Sequence, residues 1–133
     1  MIGEQAEIRV QEPIILPSNS EPEPNILIAK KKDDNYLSAH PTVEDAILVI
    51  EISDSTLQYD KEIKLSLYAE AGINNYWIVN LIDKRLEVYS KPFGDNQNKF
   101  DYKSKNIILS DESIEIPSFN DISLDVRTIL PIA

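Results

Sequence analysis

The run AILVIEIS, residues 46–53, constrains the fold more than any other stretch. It is too short for a helix, and its apolar side chains fall on both sides of an extended chain. A strand of that kind needs a covering layer on each face. Glu51 breaks the run near its end, alternating with Ile50 and Ile52 and so pointing to the opposite face from them. The rest of the chain must supply the two layers and a reason for the carboxylate.

The next segment, DSTLQYDKEIKLSLYAEAG, places Tyr59, Ile63 and Leu67 at helical spacing with Tyr68 and Ala71 on the adjoining flank. It predicts an amphipathic helix that Gly72 stops. NNYWIVNL and KRLEVYSK then read as two strands joined at IDK by a hairpin. A helix between two strands makes this a crossover connection.

Upstream, AEIRVQEPIIL predicts a strand that Pro13 interrupts or confines to an edge, and PSNSEPEPN an extended connection. NILIAKK is the length of a central strand, and SAHPTVED a loop with room for one helical turn. Downstream, GDNQNK is a turn, and FDYKSK, NIILS and SIEIP are short strands. SFNDISLDVRTILP, apolar at Ile122, Leu124, Val126, Ile129 and Leu130, predicts a short closing helix. The fold class is therefore α/β or α+β, a sheet with one principal crossover helix.

At 133 residues the chain is expected to form a single domain over 1–133, burying roughly two thirds of its unfolded surface. No apolar run approaches the ~20 residues of a membrane span, and MIGEQAEIRV does not resemble a secretory signal, so a cytoplasmic location is expected. The absence of cysteine excludes disulfides, thiolate zinc sites and cysteine nucleophiles. The single histidine, His40, precedes Pro41 in a polar connection and reads as an exposed loop residue. A net charge of −10 repels nucleic acid unless a basic patch or a bound cation reverses it locally.

Strand ends are where rigid backbone meets open loop, a common location for chemistry. Glu51 sits at such an end, and Asp60, Lys61 and Lys64 lie within about one turn of the following helix. From the residues alone, Glu51 with Lys64 is either a structural ion pair or part of a Mg²⁺ site. A metal site wants a second carboxylate. The neighbouring strand offers Asn25, which is neutral, and Glu23, which stands between two prolines and is expected to point elsewhere. Tyr59, Tyr68, Tyr76 and Trp77 read as core and interface residues rather than a base-stacking platform.

EPEPNILIA, HPTVEDAILVIEISDSTLQYDKEIKLSLYAEAGINNYWIVNL and RLEVYSKP together closely resemble the Uma-two family of restriction-endonuclease-like proteins, in the PD-(D/E)XK nuclease superfamily. The likeness runs from about Val10 to LDVRTILP. It implies a restriction-endonuclease-like mixed sheet flanked by helices and a divalent-metal site that hydrolyses phosphodiester bonds in DNA. Carried onto this sequence, the metal positions are Asn25, Glu51 and the carbonyl of Ile52, with Glu51 and Lys64 as the catalytic pair. The family pattern has aspartate where this chain has Asn25, which implies weakened Mg²⁺ binding. The family also usually carries N-terminal helices and early strands that this chain is expected to lack. Two functional readings follow: a Mg²⁺-dependent endonuclease with a degraded metal site, or an inactive relative serving as a nucleic acid or protein interaction module. The apolar strands NYWIVNL and RLEVYSK, with part of the family's covering layer missing, suggest a homodimer or larger homo-oligomer.

Overall fold

In the computed structural model, the run at 46–53 becomes strand β3 (Ala46–Ser53), and the other elements are built around it. The structure describes residues 6–17, 21–32, 34, 36–37, 39–54, 60–97 and 99–129. Tyr59 and Leu130, expected on the two helices, lie outside these, as do the side chains of Asp60 and Lys61.

Strands β1 (Ala6–Val10), β2 (Ile26–Lys30), β3, β4 (Asn75–Asn80), β5 (Arg85–Gly94) and β6 (Phe100–Leu109) form a six-stranded sheet in sequential order. Only β3 and β4 run parallel; every other neighbouring pair is antiparallel. The parallel pair follows from the crossover, since strands joined by a helix on one face return in the same direction. The sheet is mixed and the class α+β. β1 is an edge strand that stops at Val10, before Pro13, and the turn at Val43–Asp45 is held by a capping box between Thr42 and Asp45.

Both faces of β3 are covered, which explains its unbroken apolar character. On one face Val49, Tyr76 and Ile78 pack beneath helix α1 (Leu65–Ala71) and the segment carrying Ile14 and Leu16. On the other, Leu48, Ile50, Trp77 and Val79 pack against Ile116, Phe119 and Val126. That second layer is a hairpin of β7 (Ser113–Ile116) and β8 (Phe119–Asp125). No helix among the described residues is long and apolar enough to cross a membrane.

Three expectations about secondary structure change. The closing helix is reduced to a 3₁₀ turn at Val126–Thr128; Ile122 and Leu124 belong to β8, with Leu124 opposite Ile114. Their spacing of two, continued at Val126, is strand periodicity. FDYKSK and NIILS form one strand, β6, rather than two. The principal helix opens with a π-helical turn, Asp60–Lys64, before α1 begins. The wider turn displaces the side chains from α-helical positions, leaving Ile63 53% exposed while Tyr68 and Ala69 reach the core. Of the two strands expected to offer apolar surface, β4 lies inside the sheet with Tyr76, Trp77, Ile78 and Val79 buried, and β5 lies between β4 and β6; exposed apolar residues on the sheet include Ile8 and Val10 of β1, Ile52 of β3, Phe93 of β5 and Leu109 of β6.

Gly72 ends α1 in the left-handed region at φ 85°, where its amide and that of Ile73 close the last carbonyls. A Cβ built there meets nothing within 4 Å, so the cost of a side chain is conformational alone. Gly72→Ala is expected to lower stability by about 1 kcal/mol without altering the fold. Urea unfolding measures this directly, and an unchanged or raised midpoint contradicts the assignment.

Candidate active site

At the C-terminal end of β3 the side chain of Glu51 points under the crossover, on the same face as Val49. It is 1% exposed. Three groups reach its carboxylate: Lys64 Nζ lies 3.1 Å from Oε2, the Tyr68 hydroxyl donates to Oε2 at 3.2 Å, and the Asn25 backbone N–H donates to Oε1 at 3.2 Å. Lys64 and Tyr68 stand four residues apart on the same helical segment, which puts both on one side of it. The π-helical turn carries Lys64 to the carboxylate.

Asn25 immediately precedes β2 and is fixed at both its backbone and its side chain. Its N–H serves Glu51, and its Oδ1 accepts from the Ile52 N–H at 2.8 Å. The antiparallel register, with Ile26 opposite Ile50, puts Asn25 opposite Glu51 just past the end of the ladder. The structure thus brings together Asn25, Glu51, Ile52 and Lys64. Glu23 is exposed and makes no contact with this group, and His40 is exposed in its loop.

Burial pushes the Glu51 carboxyl above its ordinary value, and Lys64, the Asn25 N–H and the Tyr68 hydroxyl pull it back only in part. Lys64 is 28% exposed, so one ion of the pair meets solvent while the other does not.

Two further polar residues on this face escaped the sequence reading. Glu87, fully buried on β5, lies two strands from Glu51, with Ile78 in register between them. It accepts from Asn80 Nδ2 and the Tyr89 hydroxyl at 2.9 Å, and from Arg85 at 3.1 Å. The signal was available: Glu87 stands between Leu86 and Val88 as Glu51 stands between Ile50 and Ile52. Tyr68 is in the core, as its spacing predicts, on the side of the helix it shares with Lys64; what the sequence did not show is the bond from its hydroxyl to Glu51. Trp77 lies on the opposite face of the sheet, whereas Tyr68 packs on Tyr76 at 5.1 Å.

A hard divalent cation would find only oxygen donors here: the Glu51 carboxylate, the Asn25 amide oxygen and the Ile52 carbonyl. Three donors already address the Glu51 carboxylate and one addresses Asn25 Oδ1, leaving acceptor capacity on each. Among the described residues no group of three or more His, Cys, Asp or Glu forms a metal cluster. The donors suit Mg²⁺ in kind, with one negative charge in place of the usual two.

Comparison with known proteins places the geometry in context. Residues 3–127 match the family model Uma2, described as "Putative restriction endonuclease". A crystal structure of a protein from Anabaena variabilis, described as "a putative nuclease belonging to DUF820", superposes with a TM-score of 0.66 at 12% identity, covering 94% of this chain and 68% of that one. At that identity the likeness is one of fold. No curated protein matches the chain.

Removing Lys64 leaves a buried carboxylate without its cation. Lys64→Ala is expected to cost about 3 kcal/mol at neutral pH, and less in the background of Glu51→Gln, a difference that a double-mutant cycle reads out. Because the folded pKa of Glu51 lies above 4.5, the folded state holds a proton that the unfolded chain releases. Stability therefore falls as pH rises from about 4.5 through the raised folded value, and Glu51→Gln should remove that slope. Equal costs of Lys64→Ala in both backgrounds would show that the two residues are not coupled.

Proposed function

Because the chain belongs to the Uma2 family of restriction-endonuclease-like proteins, we propose that it hydrolyses phosphodiester bonds in DNA at the Glu51–Lys64 pair, through a metal site that Asn25 weakens. The observation that carries this reading is the buried carboxylate, held by lysine and tyrosine from the crossover, at the C-terminal end of a parallel strand. On this reading its setting is the cytoplasm.

Glu51, Asn25 Oδ1 and the Ile52 carbonyl would hold the cation, which when bound stabilises negative charge on the phosphoryl oxygens. Lys64 offers a partly exposed ammonium beside Glu51 to orient an attacking water and to stabilise charge on the phosphate in the transition state. Tyr68 fixes the Glu51 carboxylate from beneath and excludes water from that side. The Asn25–Ile52 hydrogen bond sets the direction of the amide. With Oδ1 turned to Ile52, the other terminal atom of Asn25 is an N–H donor, which cannot ligate a cation.

That last feature favours a second reading, an inactive relative that retains the fold as an interaction module for nucleic acid or protein. Asn25→Asp separates the two. An aspartate can accept from Ile52 N–H with one oxygen and offer the other to a cation, so Mn²⁺ affinity by calorimetry is expected to rise on the order of tenfold. DNA cleavage with Mg²⁺ or Mn²⁺ should rise with it and be abolished by Lys64→Ala. Cleavage indifferent to Lys64 would overturn the catalytic assignment; no cleavage by either the natural chain or Asn25→Asp would support the interaction module.

A further inference from the structure

The acidic excess of this chain is unevenly spread. Residues 84–105 carry six of its thirteen lysines and arginines against three of its twenty-three acids, a local charge of +3 in a chain of −10. The difference extends to pairing. Arg9, Lys31, Lys32, Lys64, Arg85 and Arg127 each lie within 4 Å of a carboxylate. Among the described residues Lys91, Lys99, Lys103 and Lys105, all exposed on or beside β5 and β6, form no such ion pair. Lys103 and Lys105 instead rest over the rings of Phe93 and Tyr89, at 5.9 and 5.6 Å, which leaves their charge uncompensated.

Two of these lysines border a groove of about 450 Å³ between the crossover and the edge of the sheet. Leu65 and Ser66 line one wall, the buried Tyr89 and half-buried Phe100 line it from the sheet, and Lys99 and Lys105 stand at the other wall. Glu62 and Asp101 also line it, which makes the groove's own charged lining balanced; the positive excess comes from the neighbouring lysines along the edge, Lys91 and Lys103. The groove adjoins the site: Leu65 and Ser66 directly follow Lys64 in the chain, and Tyr89 donates to Glu87, two strands from Glu51. Two strand spacings are about 10 Å.

We infer that this groove and the lysine edge bearing on it hold the DNA backbone, with Lys99 and Lys105 on phosphates and Lys91 and Lys103 extending the track. The inference rests on the reading of the chain as a DNA-acting protein and adds the surface by which an acidic protein engages a polyanion. Lys99 and Lys105 act by charge, so their contribution is independent of base sequence and sensitive to salt.

The test is fluorescence anisotropy of a labelled DNA duplex with EDTA present, so that binding is measured without cleavage, repeated over a salt series. Lys99→Ala and Lys105→Ala should each weaken binding and make the plot of log K against log salt shallower by about 1. Lys31→Ala, at the far end of β2, serves as the control and should leave both unchanged. Binding and salt slope like those of the natural chain in the double variant Lys99→Ala/Lys105→Ala would overturn the inference, as would the absence of DNA binding by the natural chain. Groove-dependent binding without cleavage in Mg²⁺ supports the inference while removing the hydrolytic reading. Cleavage that is indifferent to both lysines removes the inference and leaves the hydrolytic reading standing.

Discussion

The charge on Glu51 is the constraint around which this end of the molecule is organised. Removing a carboxylate from water costs several kcal/mol even after the protein relaxes, and attraction to a nearby cation offsets this only with good geometry and further hydrogen bonds. Here Lys64, Tyr68 and the Asn25 N–H supply both. Each comes from a different constraint on the chain: the π-helical turn delivers Lys64, α1 delivers Tyr68, and the point where β2 begins delivers Asn25. A change in the crossover geometry or in the β2–β3 register would leave the carboxylate buried without partners.

The same face carries a second solution to the same problem. Glu87 accepts from Asn80, Arg85 and Tyr89, and burial together with the Glu87 charge raises the Tyr89 phenol well above its ordinary value, so that it stays a donor. Arg85 and Asn80 lie at the ends of their own strands and Tyr89 two residues beyond Glu87, so these three donors all come from the β4–β5 hairpin. Glu51 takes its partners from two separate segments, the crossover helix and the start of β2.

Much of the architecture was legible because β3 announced itself. An apolar run covered on both faces demanded two layers, and the parallel neighbour followed from the crossover. Glu51 was legible because it breaks an apolar strand, and Lys64 because it lies on the helix that follows, where the family resemblance pairs the two. The π-helical turn was not, since hydrophobic spacing in a short segment does not distinguish it from an α-turn, and Ile63 was assigned inward as a result. The closing strand β8 was missed because Ile122, Leu124 and Val126 fit a period of two while Ile129 and Leu130 suggested a helix; the pairing of Leu124 with Ile114 decided it. Family resemblance pointed to Asn25 as the altered metal position, but only the structure revealed its hydrogen bond to Ile52 and the donor that remains.

The central claim, that the end of β3 is where a divalent cation and the substrate phosphate meet, is tested most directly by paramagnetic relaxation in solution. Mn²⁺ added to isotope-labelled protein should broaden the backbone amides of Asn25, Glu51, Ile52 and Lys64 before any others, and Glu51→Gln should abolish that selectivity. Broadening confined to other acidic surfaces, with these four amides unaffected, would contradict the account.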